Sequence, residues 1–132
     1  MNIEWNETYS VFNKDIDNQH KNLFDILDSF NKELETNLSN NKAIQIIIDS
    51  LKKYTINHFE YEEDFMTKMN YPYIKLHQQK HHLFIEKIKD YESRYQTGVN
   101  VLPAEIITFL KEWLIRHIYV EDKMYANFIA SK

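Results

Sequence analysis

The sequence predicts an all-α protein: an up-down-up-down antiparallel four-helix bundle with an N-terminal arm. Three observations carry that expectation. Four segments place apolar residues at spacings of three and four, the pattern of a helix with one buried face. The only Gly (Gly98) and the two Pro (Pro72 and Pro103) fall at segment boundaries. The connections are short, so consecutive helices lie side by side and antiparallel.

The 132 residues suffice for one core and read as a single domain, 1–132. Residues 1–17 form the arm, with Trp5, Tyr9, Val11 and Phe12 packing on the bundle. The first helix is expected over about 18–38, with His20, Leu23, Phe24, Leu27, Phe30, Leu34 and Leu38 on one stripe and Asp17 or Asn18 as N-cap. Ser39-Asn40-Asn41 then makes a turn. The second helix, about 42–69, carries Ile44, Ile47, Ile48, Leu51, Tyr54, His58, Glu62, Phe65, Met66 and Met69, and Asn70-Tyr71-Pro72 stops it. The third, about 73–96, aligns Ile74, His77, His81, Phe84, Ile88, Tyr91 and Tyr95, with Thr97-Gly98 as its stop. The fourth, about 103–130, opens on Pro103 near its first position and continues through Ile106, Phe109, Leu110, Trp113, His117, Val120 and Met124.

Composition narrows the function. Without cysteine there is no disulfide framework, no Cys-ligated cluster and no thiol nucleophile, which suits a reducing cytoplasm. Net charge is −4 with lysines interleaved among acids, so no nucleic-acid partner is expected. No segment approaches the roughly 18 uninterrupted apolar residues of a membrane span, and the first residues lack the basic flank and apolar run of a signal peptide.

The histidines carry the chemistry. His20, His77 and His81 lie near the starts of the first and third helices; His58 and His117 lie in the later halves of the second and fourth. In an antiparallel bundle those places coincide, so five of the six histidines converge on one level of the core. A lone histidine on an apolar stripe is most often a hydrogen-bonded core residue. Five at one level would need five buried partners, and the core offers few. His77 and His81 at i, i+4 can chelate one ion, and the same spacing puts Glu62 beside His58. His82 is turned about 100° from His81 and is expected to be exposed and without function.

The run His58-Phe59-Glu60-Tyr61-Glu62-Glu63-Asp64-Phe65-Met66, then Tyr71 and His77-Gln78-Gln79-Lys80-His81, resembles the hemerythrin signature. His20 in Asp17-Asn18-Gln19-His20 resembles the family's first ligand, and His117 through Asp122 its last pair. The likeness covers essentially the whole chain, and Trp5 and Val11 fit the bacterial branch.

The resemblance implies two iron ions, bridged by an oxo or hydroxo group. His77, His81 and His117 would hold one iron, and His20 and His58 the other, which keeps an open position. Glu62 and Asp122 would bridge them. It further implies an apolar wall of Leu23, Phe59, Trp113, Leu114 and Ile118 around that position, and reversible O2 binding without catalysis, for carriage, storage or delivery to an O2-using enzyme. Only the resemblance promotes Asp122, which lies five residues after His117, about 140° off that face of an ideal helix. As a ligand it requires the fourth helix to loosen or bulge.

Two other classes compete. Carboxylate-rich di-iron proteins use Glu-x-x-His motifs, and the chain has none; redox chemistry on peroxide or nitric oxide is the enzymatic alternative. An O2- or iron-sensing module is the other. Zinc needs only four ligands, and seven suit a pair of octahedral ions better.

Overall fold

A computed structural model describes residues 4–35 and 40–131. A 3-10 turn, Glu7–Tyr9, precedes α1 (Lys14–Glu35), α2 (Asn40–Lys68) and α3 (Ile74–Gln96). The fourth rod begins as α4 (Pro103–Glu112), passes through a π-helical segment (Trp113–Asp122) and ends as α5 (Lys123–Ala130). No strand occurs among the described residues. Cross-helix pairs show the rods running antiparallel. Asp15 meets Tyr61 while Gln19 meets His58; Lys52 meets Glu92 while Glu63 meets His81; Arg94 meets Glu105 while His81 meets His117.

The start of the first helix departs from expectation. It begins at Lys14, four residues before Asn18. Neither Asp17 nor Asn18 is the cap, because the Asn13 side chain accepts from the Ile16 amide at 3.0 Å. Asp17 instead ties the arm to the bundle. Its buried carboxylate accepts from the Ser10 hydroxyl at 2.6 Å and the Val11 amide at 2.9 Å. Between them Phe12 turns the chain with a positive φ of 60° and stays exposed. Asn40 and Asn41, expected in a turn, instead open α2. Leu38 and Ser39 lie outside the described residues.

The helix stops are local and strong. At the end of α2, Asn70 adopts φ 58°, the Tyr71 amide donates to the Met66 carbonyl and the Asn70 amide to the Thr67 carbonyl. This is a Schellman closure with Asn in the left-handed position, sealed by Tyr71 packing in one cluster with Met66. Gly98, φ 78°, closes α3 the same way, with the Val99 amide on the Arg94 carbonyl.

The core divides along the bundle axis. A large cluster takes Leu23, Leu27 and Phe30 from α1, Ile44 to Phe59 from α2, Phe84, Ile88 and Tyr91 from α3, and Ile106 to Ile118 from the fourth rod. A smaller one gathers Val11, Ile16, Met66, Tyr71, Tyr125 and Ala126. Between them, on every rod, lies one polar level: His20, His58 with Glu62, His77 with His81, and His117 with Asp122, all buried.

Because the left-handed conformation costs a residue with Cβ about 1–2 kcal/mol, Asn70→Ala should be less stable than Asn70→Gly by about that amount in denaturant unfolding. Equal stabilities would show that the stop does not depend on Asn70.

A candidate metal centre

Each of the five rings turns its Nε2 atom toward the two carboxylates. Glu62 Oε1 lies 3.1 Å from His77 and 2.9 Å from His81, while its Oε2 lies 3.3 Å from His20 and 3.4 Å from His58. Asp122 repeats the division: Oδ1 is 2.8 Å from His77 and 3.1 Å from His117, and Oδ2 is 3.1 Å from His20. One group is therefore His77, His81 and His117; the other is His20 and His58. Both carboxylates straddle the two groups with one oxygen on each side, and within each group the ligand atoms lie within 4.8 Å of one another.

Helix register delivers this arrangement. His58 and Glu62, and His77 and His81, are one turn apart on one face. His117 and Asp122 are five apart, and the π-helical run from Trp113 to Asp122 brings them to the same core. The irregularity that an Asp122 ligand requires is present where it is required.

The donor set fits a cation better than it fits itself. His81 Nε2 and His117 Nε2 are 3.1 Å apart and can share at most one proton. Both ring nitrogens of His20 and both oxygens of Asp122 are buried without an aligned hydrogen-bond partner, although neighbours stand at 2.8–3.1 Å. Buried polar groups left so are rare, and metal ions between the rings and carboxylates would satisfy the atoms that face inward.

Electrostatics follow from packing ions in a dry layer. Burial alone lowers the pKa of His20 and His77, but the adjacent Asp122 and Glu62 carboxylates outweigh it and raise them to about 9 and about 10. Burial dominates at His58 and lowers it, whereas at His117 the Asp122 carboxylate prevails over burial and raises it. Burial works against ionisation of Glu62 and Asp122, yet the surrounding imidazoles hold both below the usual carboxylate range.

Outside this shell, aromatic faces fix three rings. Phe59 stacks on His81 with centroids 3.9 Å apart, Trp113 on His117 at 3.9 Å and Tyr54 on His58 at 5.0 Å. Leu23, Leu114 and Ile118 are fully buried in the large cluster with Phe59, and Trp113 packs against it partly buried. His82 stands exposed beside Glu86.

Several contributors escape a reading of single helices. Tyr125 donates to Glu62 Oε2 at 2.9 Å, and Gln19, Glu63 and Glu121 meet the outward Nδ1 atoms of His58, His81 and His117. Only Glu121, at i, i+4 from His117, carries a signal along its own helix.

Residues 11–129 match the hemerythrin HHE cation binding domain. The chain belongs to the hemerythrin family. Its relatives include the bacteriohemerythrins of Stenotrophomonas maltophilia and Pseudomonas aeruginosa, each 30% identical over 125 residues, 95% of this chain and 80% of theirs. A hemerythrin-like protein of Naegleria gruberi is 27% identical over 123 residues, covering 93% of this chain and 90% of its own. Among solved structures, a hemerythrin with one leucine replaced by tyrosine superposes with a TM-score of 0.81 at 25% identity, over 98% of this chain and 99% of that one. Its alanine counterpart gives 0.80 at 25% identity, over 97% of each chain. A hemerythrin fold and a buried histidine–carboxylate centre suited to metal are thus features of this chain.

A histidine that ligates a metal must be deprotonated, and the carboxylates beside His20 and His77 raise their pKa to about 9 and about 10. Loading with Co2+ or Fe2+ at pH 7 in weak buffer should therefore release about two protons per chain, read with an indicator dye. A raised histidine pKa contributes stability in full below the unfolded value of 6.5 and loses it as pH rises through about 9 and 10. The metal-free protein should lose stability over that window. Metal uptake without proton release would contradict this charge assignment.

Proposed function

We propose that this centre holds two iron ions and binds O2 reversibly. The division of each carboxylate between two imidazole groups supports the reading most directly, because that is the arrangement two bridged ions require. His77, His81 and His117 would hold one iron, His20 and His58 the other, and Glu62 and Asp122 would bridge them. The lower nitrogen count at His20 and His58 marks the side with room for a small ligand. An iron pair held there would supply the reversible two-electron chemistry that O2 binding needs.

The chain's own residues then determine reversibility. Leu23, Leu114 and Ile118, each fully buried, and Phe59 exclude water from the level of the centre. Phe59 and Trp113 hold the His81 and His117 rings in plane by stacking. Tyr125, buried, donates to Glu62 and keeps that carboxylate in its bridging orientation. Five neutral imidazoles stabilise high-valent iron less than a carboxylate-rich set does, which favours binding over oxidation of a substrate. Carriage, storage and delivery to an O2-using enzyme all use the same centre. No helix among the described residues is long and apolar enough to cross a membrane, and the absence of cysteine accords with a cytoplasmic setting.

Reducing the iron-loaded protein, admitting O2 and then removing it should make a visible charge-transfer band appear and bleach. Irreversible oxidation or steady O2 consumption would overturn the carrier reading in favour of redox chemistry. His77→Ala should lose iron while His82→Ala retains it; iron loss in the second variant would displace the third helix's assigned register. Leu114→Ala should cost about 2–5 kcal/mol of stability and speed autoxidation by admitting water, and an unchanged autoxidation rate would remove Leu114 from the protective wall.

A further inference from the structure

We infer that Glu63 and Glu121 bias the three-histidine position toward the more oxidised state, adding to the inequality that the histidine count already sets. The inference rests on the iron reading above and concerns which of the two ions is harder to reduce.

Each bridging carboxylate gives one oxygen to either side, and the Tyr125 hydroxyl donates to the Glu62 oxygen beside His20 and His58, drawing charge away from that side. A second difference, of the same sign, lies in the outward ring nitrogens. His81 Nδ1 is 2.8 Å from Glu63 Oε2, and His117 Nδ1 is 3.2 Å from Glu121 Oε1. With Nε2 committed inward, each Nδ1–H donates to a carboxylate. A ring so paired donates more electron density through Nε2, and the added negative charge favours the ion of higher charge. On the other side, His58 Nδ1 meets the neutral Gln19 amide oxygen at 2.7 Å, and His20 Nδ1 is buried with no partner. Among the described residues, two carboxylates therefore back one position and none backs the other.

Glu63 is the stronger of the pair. Its contact is the shorter, and Lys80 stands 4.0 Å from Glu121, offsetting part of that residue's charge. A cleft of about 440 Å³ between α1 and α2, walled by Gln19, Tyr54, His58, Asn57 and Lys53, borders the centre at His58. It brings a neutral amide and a lysine, not an acid, to that edge. All three outer partners act as positioning and charge-tuning residues without touching the metal.

At each position the step in question is one iron(III) taking one electron from a mediator to become iron(II). The Nδ1 proton stays between ring and carboxylate. Spectroelectrochemical titration of the two-iron protein under nitrogen should resolve two one-electron potentials. Glu63→Gln should raise the lower one by at least tenfold in the redox equilibrium, about 59 mV, with Glu121→Gln shifting it less. Gln19→Glu should lower the upper potential and narrow the gap.

A readout independent of redox comes from the zinc-loaded protein. The downfield Nδ1–H proton resonance of His81 should move upfield in Glu63→Gln while the fold, by circular dichroism, is unchanged. Three results would overturn the inference: a single two-electron wave in the wild type, equal movement of both potentials in Glu63→Gln, or unmoved potentials in all three variants with two irons bound. A wild-type protein that takes up fewer than two irons would instead overturn the iron reading, and this inference with it.

Discussion

Two carboxylates with no solvent exposure share the centre of this bundle with five buried imidazoles, and the rest of the architecture answers to that constraint. An unpaired buried charge would ruin a fold whose net stability is only about 5–15 kcal/mol. The bundle therefore packs a large apolar cluster on one side of the polar level and a small one on the other. Stacked aromatic rings line the level, and the Asp17 latch holds the arm over the smaller end through Ser10 and Val11. Each device keeps water out or holds a ring still.

The π segment is the local consequence of the same constraint. On an ideal helix Asp122 would point about 140° away from His117, toward a neighbour or toward water. Widening the backbone from Trp113 to Asp122 lets the fourth rod present Leu114, His117, Ile118 and Asp122 to the core together. Insertions of this kind forfeit regular i→i+4 bonding and concentrate at functional sites. Here the deformation is held from the inner face, by Leu114 and Ile118 buried in the apolar cluster and by His117 and Asp122 drawn into the charged one.

How much of this is legible in the chain depends on whether the signal stays within one helix. Spacing along each rod aligns His20, His58, Glu62, His77, His81 and His117 on inward faces, and short antiparallel connections put them at one level. Asp122 cannot be aligned that way, since its position depends on a departure from the regular period. Gln19 and Glu63 act on histidines of other helices, so nothing in their own neighbours marks them. The start of the first helix misleads because Asp17 looks like a cap, and the tertiary contact that employs it lies in the arm. Tyr125 lies off the regular stripe of the fourth helix, which runs through Val120 and Met124, and only its contact with Glu62 on another helix reveals it.

The charge balance explains how such a centre can fold before any metal arrives. Glu62 and Asp122 contribute two negative charges, and the raised pKa values of His20 and His77 supply two protons that neutralise them. The protonated pair contacts both carboxylates with the same Nε2 atoms that would face the ions. Protons thus balance, in electrostatic terms, the charge that bound cations would balance, and metal uptake would exchange one for the other. The ordering of the side chains is met by folding, and the affinity left for the metal is correspondingly less diminished by it.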